Sequence, residues 1–180
     1  MNQTIKNIGI RYGVLLAIIL VIINLFIYFY DYTLMNSIIN GFGLIFLILI
    51  FGIISMVTSK KKIGGYITFR EAFTPYILVI TIGVLVPTLL QFLIYGVFDT
   101  ATGEALKQHY IALTAEQLNK FNVPAEQAQV SIEAVKASNP YAIGTLLTSG
   151  AIRIAMLSVA GLIAALIFRN KTEFSAKPQA

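Results

Sequence analysis

The chain has 180 residues, of which 57% are hydrophobic and 12% are charged, and its basic residues outnumber its acidic ones by 13 to 8. This composition argues against a water-soluble globule, because so few polar side chains cannot cover the surface of a domain of this size. The basic excess does not indicate a nucleic-acid partner, since the basic residues lie at the ends of apolar runs, and the lack of cysteine excludes disulfides and thiolate metal sites.

Four apolar runs are long enough to cross a bilayer, which takes roughly 20 residues at a rise of about 1.5 Å each. They are residues 13–30, 38–57, 76–98 and 142–168. Each run must satisfy its own backbone hydrogen bonds in lipid, so we expect four helices. The sequence therefore predicts an all-α fold in which residues 1–180 form a single integral membrane bundle of four transmembrane helices.

The first run follows Lys6 and Arg11, as the apolar segment of a signal peptide would, but no small-x-small cleavage site ends it. We therefore interpret it as a retained span. Gly9, Gly13 and Ala17 recur at four-residue spacing, which allows a second helix to approach closely. Chance recurrence in a helix that contains glycine and alanine explains this spacing equally well.

The connection between the second and third runs carries the like-charge cluster Lys60–Lys62, and Gly64-Gly65 after it favours a turn. Thr68 and Glu71 have the spacing of a capping box, which predicts a helix start. Thr74-Pro75 is a second start signal, so we expect a short interfacial helix before the third span.

Residues 99–140 form the only sizeable region outside the spans, and their apolar residues recur at helical spacing. Within this region, Thr114 and Gln117 have the spacing of another capping box. We expect a helical extracytoplasmic insert between helices 3 and 4. In the span before it, Pro87 predicts a kink, because proline cannot donate to the carbonyl of Gly83.

Basic residues lie on one side of this four-span map. They are Lys6 and Arg11 before the first span, Lys60, Lys61, Lys62 and Arg70 in the second connection, and Arg169, Lys171 and Lys177 after the last span. The positive-inside rule therefore predicts that the N- and C-termini are both cytoplasmic. For Lys60, Lys61 and Lys62, contact with anionic lipid headgroups stays open beside this role as a topology signal.

The segment from Gly64 to Phe73, GGYITFREAF, resembles the bacterial family of domain of unknown function 4199 (DUF4199), whose members are small four-span membrane proteins. The helical insert supports the resemblance, as does Asn139-Pro140 leading to a last helix that ends LIAALIFRNK. The resemblance covers nearly the whole chain. It implies a multi-pass protein of a Gram-negative inner membrane and brings no catalytic residues with it.

Arg153 is the one charged residue within the four predicted runs. An ionisable group inside a membrane costs several kcal/mol unless it is paired, so it is a functional hypothesis by default. Helical depth brings Asn24, Gln91 and Arg153 to one layer, and we predict that they form a polar cluster with Tyr95 and Ser149 nearby. The alternative is that Arg153 extends along its helix to the outer headgroups.

The sequence indicates no catalytic residue, no cofactor and no metal site, because His109 is the only histidine and no nucleophile or phosphate-loop motif occurs. We therefore expect a protein that is not an enzyme. A structural or interaction protein is the first hypothesis, with the lipid bilayer and a second copy or another membrane protein as partners. A small transporter or channel subunit, using Arg153 and the Pro87 kink for an anionic solute, is the alternative.

Overall fold

The computed structural model describes residues 2–170, so Lys171 and Lys177 lie outside the described residues. It confirms the all-α fold and the four long apolar helices, which are α1 (Gln3–Tyr30), α2 (Ile38–Lys62), α3 (Phe69–Gln91, extended by a π-helical segment, Phe92–Phe98) and α6 (Ile143–Phe168). The insert between spans three and four consists of α4 (Thr100–Lys120) and α5 (Ala125–Ala137). α3 stays helical across Pro87, and its α-helical geometry ends four residues later.

α3 is the central helix, because α1, α2 and α6 all pack against it, whereas α1 and α6 do not contact each other within the described chain. The glycines of α1 face α3: a Cβ added at Gly9 would lie 2.8 Å from the Cα of Pro75, and one at Gly13 would lie 2.9 Å from the Cδ1 of Ile82. The four-residue spacing in α1 therefore marks a real helix contact.

Tyr76 of α3 joins three helices in the core. Its side chain is 1% exposed, and its ring lies between Gly52 of α2 and Gly161 of α6. A Cβ added at Gly52 would come within 2.6 Å of the ring, and one at Gly161 would collide with it. The hydroxyl donates a hydrogen bond to the carbonyl of Leu157 at 2.8 Å. We call this arrangement of Tyr76, Gly52 and Gly161 the Tyr76 packing site.

The start of α3 confirms one capping box. The Glu71 amide donates to Thr68 Oγ1 at 3.3 Å, and the Thr68 amide donates to Glu71 Oε2 at 3.0 Å. The expected short interfacial helix is wrong, because α3 continues without a break through Pro75, which packs against α1.

The second predicted capping box is also wrong. Thr114 lies inside α4, and its hydroxyl donates to the carbonyl of Tyr110 at 2.8 Å. The helix begins earlier because the Asp99 carboxylate accepts the Thr102 amide at 3.0 Å and caps the first turn. A four-residue pattern cannot by itself distinguish a helix start from a helix interior.

The insert lies at the same end of the bundle as the first connection, and we call this the insert end. Asn36 Nδ2 donates to the carbonyl of Leu106 in α4 at 3.0 Å, and the Tyr28 hydroxyl donates to Asp99 at 2.8 Å. α5 packs on α4 and on no other described element.

The opposite end is the basic end, where the second connection meets the end of α6. The Ile67 amide donates to Asn170 Oδ1 and the Asn170 amide donates to the Ile67 carbonyl, each at 3.0 Å. Gly64 and Gly65 have φ values of +90° and +87°, which glycine adopts without strain. This turn brings Ile67 back to α6.

Candidate functional site

Two members of the predicted polar cluster are joined directly. Gln91 Nε2 donates to Asn24 Oδ1 at 3.2 Å, and Asn24 Nδ2 donates to the carbonyl of Leu20 in its own helix at 2.7 Å. Asn24 is 2% exposed, so both polar ends of its amide have a partner where water is excluded. This pair links α1 to α3 close to the insert end.

Tyr95 lies one turn beyond Gln91 and belongs to an aromatic group instead. Its ring centroid is 5.9 Å from that of Tyr28 and 5.1 Å from that of Tyr141. The Tyr95 hydroxyl is buried and has no hydrogen-bond partner among residues 2–170. Its backbone carbonyl contacts Gly103, where a Cβ would collide with it, so α4 approaches the π-helical segment closely.

Arg153 and Ser149 lie one turn apart on α6, and both side chains are exposed. Neither a hydrogen bond nor an ion pair joins Arg153 to any part of the chain that the structure describes. The two residues instead line a cavity that Gln91 also lines. The cluster is therefore a hydrogen-bonded pair, Asn24 and Gln91, with Arg153 and Ser149 across an open space from Gln91.

This cavity has a volume of about 290 Å³ and lies between α2 and α6, under α4 at the insert end. We call it the outer cavity. Its polar lining includes Asn36, Gln91, Lys107, Tyr110, Ser149 and Arg153, and its apolar wall includes Ile48 and Leu146.

Lys107, Tyr110 and Asn36 were not among the predicted site residues. Lys107 and Tyr110 are three residues apart in a helix, so the sequence could place them on one side of α4. It could not tell that this side faces the bundle. That orientation is set by the contacts of α4 with the rest of the bundle, which include the hydrogen bond from Asn36 to Leu106 and the close approach of Gly103 to Tyr95.

The charge in the outer cavity is positive. Arg153 and Lys107 both line it, and none of its lining residues is acidic. Glu104, one turn before Lys107 in α4, lines a neighbouring cavity that Lys107 also lines, and it accepts a hydrogen bond from Gln108 at 2.7 Å. Two cations beside an apolar wall repel each other. Each of them attracts an anion that enters the cavity, and the anion offsets this repulsion.

Two titratable groups at the insert end, Tyr141 in the cavity lining and Asp99 at the start of α4, are each in one protonation state at neutral pH. Burial raises the pKa of Tyr141 to about 12, so its hydroxyl stays protonated and can donate. Hydrogen bonds from the backbone and side chain of Thr102, and then from Tyr28, hold the pKa of Asp99 below its ordinary value of 3.8. Asp99 is therefore ionised and already engaged by protein donors.

The lysine cluster at the basic end divides into two kinds of residue. Lys60 Nζ donates to the carbonyl of Phe168 at 2.9 Å, at the carboxyl-terminal end of α6. A cation at this position stabilises a helix because it neutralises an unpaired carbonyl and the negative end of the dipole. Lys61 and Lys62 are exposed. Lipid contact by the three lysines stays a prediction.

Within residues 2–170 no group of three or more His, Asp or Glu side chains is arranged to hold a metal ion. The sequence model of a family described as "Protein of unknown function (DUF4199)" matches residues 11–170. No curated protein and no solved structure matches the chain.

Proposed function

Since the chain belongs to the DUF4199 family, whose description names no activity, we propose a function from the outer cavity: a non-catalytic accessory protein that binds an anionic partner within the membrane. The role is one of assembly or interaction. A lipid, another membrane protein or a second copy of this chain would supply the anionic group.

The observation that carries the proposal is the environment of Arg153. This residue lies ten positions after Ile143, about 15 Å along α6 from its first residue. A cation at that depth costs several kcal/mol without a partner. The described chain offers Arg153 no carboxylate, and Lys107 adds a second positive charge to the same cavity. An anionic group from outside the chain would neutralise both.

The same two cations also favour the alternative function, a transporter or channel subunit for an anionic solute. Such a solute would have to continue from the outer cavity toward the basic end. The Tyr76 packing site lies on that path, because the Tyr76 ring fills the space between α2 and α6. Transport would therefore require Tyr76 to leave its contacts with Gly52 and Gly161, which makes it the second candidate.

The proposal includes a bacterial inner membrane, as the family resemblance implies, with the basic end in the cytoplasm. Its support is the distribution of charge. Seven basic residues lie at the basic end, on the helix ends and the connection found there: Lys6, Arg11, Lys60, Lys61, Lys62, Arg70 and Arg169. The positive-inside rule assigns such an end to the cytoplasm.

Site-specific photo-crosslinking tests the accessory role. A photoreactive amino acid at Met156, which is 71% exposed one turn from Arg153, should form a discrete adduct with a protein or a lipid in cells. The adduct should be lost in Arg153→Gln. The matched control is Phe26 of α1, which is 64% exposed, and its adducts should not depend on Arg153.

Two results would count against the accessory role. The first is a Met156 adduct that survives Arg153→Gln unchanged, because the partner would then not need the cation. The second is uptake of inorganic phosphate by proteoliposomes that contain the wild-type chain and not by those that contain Arg153→Gln. That second result would establish the transport alternative.

A further inference from the structure

We propose that the outer cavity and the groove below it together bind one phospholipid with an anionic headgroup, its phosphate at Arg153 and Lys107 and an acyl chain along α6. This inference rests on the proposed function and names the partner. It follows from the continuity, the polarity and the charge of the two spaces.

The outer cavity continues into a second space between α2 and α6. This space, the α2–α6 groove, has a volume of about 420 Å³ and is lined by Ile45, Leu49, Ile152, Met156, Leu157 and Ala160, together with Ser149 and Arg153. Ile45, Ser149 and Arg153 line both spaces. One molecule can therefore occupy the outer cavity and the groove at the same time.

The order of polar and apolar surface along α6 matches the order within a lipid. The cations lie toward the insert end, whereas the groove below Arg153 is lined by apolar side chains. Ala160 lies seven residues beyond Arg153, about 10 Å deeper along the helix. A phospholipid in the leaflet at the insert end has its phosphate toward the water and its acyl chains toward the membrane centre. It would enter the site in its normal orientation.

The surroundings favour a lipid over other anions. Free phosphate would occupy only the polar part and would leave the apolar groove unfilled. A transmembrane helix of another protein would meet α4, because Lys107 and Tyr110 line the outer cavity from outside the spans. A lipid headgroup fits below α4, and the groove is open to lipid along the exposed side chains of Ile152 and Met156.

The side chains present suit a phosphate diester. A guanidinium binds phosphate oxygens in a bidentate manner, and an ammonium group adds a point charge. The hydroxyls of Ser149, Tyr110 and Tyr141 line the same cavity and can donate to the remaining oxygens. A zwitterionic headgroup would bring its own ammonium group near the two cations. We therefore expect preference for a lipid with a net negative charge, such as phosphatidylglycerol, over phosphatidylethanolamine.

Native mass spectrometry of the full chain, released from nanodiscs with equal amounts of these two lipids, tests the proposal. The wild-type chain should retain phosphatidylglycerol preferentially. Arg153→Gln and Lys107→Gln should each reduce this retention about fivefold, the factor expected for one basic residue near an anionic lipid. The matched control is Lys120→Gln, which removes an exposed cation of α4 that pairs with Glu116 at 2.7 Å, and it should retain the lipid.

Groove-filling variants test the acyl-chain part of the site without a change of charge. Ala160→Phe should reduce retention of phosphatidylglycerol, because its ring would occupy the α2–α6 groove. Ala155→Phe is the control, since Ala155 is exposed on α6 and does not line the groove. If Ala160→Phe has no effect and added inorganic phosphate displaces the lipid, the site binds a free anion and the inference is overturned.

The failure of this inference is distinguishable from the failure of the proposed function. Equal retention of the two lipids, together with an Arg153-dependent protein adduct at Met156, would overturn the lipid site and leave the accessory role intact. Equal retention with no Arg153-dependent adduct would overturn both. Arg153→Lys replaces Arg153→Gln in this test if Arg153→Gln does not fold. Lysine keeps the positive charge at position 153 but loses the bidentate geometry, so lipid retention should lie between that of the wild-type chain and that expected for Arg153→Gln.

Discussion

The substitution Gly161→Ala tests how the core holds three spans together. A Cβ at Gly161 would collide with the Cδ1 and Cε1 atoms of Tyr76 and lie 2.9 Å from its Cζ. The ring cannot move away freely, because its other edge faces Gly52, where an added Cβ would lie 2.6 Å from it. Any movement of the ring would also lengthen the 2.8 Å hydrogen bond that the Tyr76 hydroxyl donates to the carbonyl of Leu157.

The expected change in the free energy of unfolding is the sum of two destabilising contributions and one stabilising contribution. Overpacking a confined side chain costs about 1–3 kcal/mol, and confinement on both edges places this case in the upper half of that range. Weakening the buried hydrogen bond costs up to about 1 kcal/mol. Alanine in place of glycine stabilises a helix by about 1 kcal/mol. We therefore expect Gly161→Ala to lower the free energy of unfolding by about 2 kcal/mol.

Reversible unfolding by SDS in mixed micelles measures this change, with Gly144→Ala as the matched control. Gly144 is in the same helix, and a Cβ added there would meet nothing within 4 Å, so the control should be neutral or slightly stabilising. In a Tyr76→Leu background the cost of Gly161→Ala should fall toward zero, because the ring is gone. If Gly161→Ala is as stable as Gly144→Ala in the wild-type background, the reasoning about Tyr76 is refuted.

Three further predictions concern Asp99 at the insert end, the hydrogen-bonded pair of Asn24 and Gln91, and the orientation of the bundle in the membrane. Because the folded pKa of Asp99 is lowered, its contribution to stability is present above about pH 3.8 and is lost as the pH falls below that value. The difference in unfolding free energy between the wild-type chain and Asp99→Asn should accordingly shrink below about pH 3.8, and a difference that grows there would contradict the assignment. Asn24→Leu and Gln91→Leu should show a coupling of about 0.6 kcal/mol in a double-mutant cycle, as hydrogen-bonded pairs in membrane proteins do on average, whereas strict additivity would mean that their 3.2 Å contact contributes nothing. A double-mutant cycle of Gln91→Leu with Arg153→Leu tests the predicted polar cluster in the same way. If the cluster is real, Arg153→Leu should cost less stability in the Gln91→Leu background, whereas strict additivity would contradict it. In intact spheroplasts, an impermeant thiol reagent should label Ser131→Cys and should label Lys61→Cys only after lysis. The reverse pattern would place the basic end outside the cytoplasm. Lys61 is exposed and therefore suits this test.

The four spans could be predicted because an apolar run is a local property of the sequence. Their lengths could not. α1 begins ten residues before the first predicted run, and its first turn is capped by Asn2, whose side chain accepts the Thr4 amide at 3.0 Å. The Thr68 capping box was predicted as a helix start, but the sequence did not show that this helix continues through Pro75 into the third span. Hydropathy marks the part of a helix that lies in lipid, whereas caps decide where the helix begins.

Only part of the candidate site could be predicted from the sequence. Helical depth brought Asn24 and Gln91 to one layer, and they are hydrogen-bonded. Depth says nothing about rotation of a helix about its axis. Tyr95 is at a suitable depth but packs with Tyr28 and Tyr141. Lys107 lines the outer cavity from the insert, whose contacts with the bundle include the hydrogen bond from Asn36. Contacts between residues about 70 positions apart in the chain leave no periodic signal.

From the sequence alone came the number of spans, the separation of a basic end from an insert end, and the presence of one cation within the apolar runs. These properties depend on composition over short windows, because the cost of moving each segment from water to lipid is a sum over its own residues. The tertiary structure decided which side chains share a space. Close contacts at Gly9, Gly52 and Gly161 set the rotation of α1, α2 and α6 around α3. That rotation leaves Arg153 facing a cavity and a groove, and no carboxylate among residues 2–170 pairs with it.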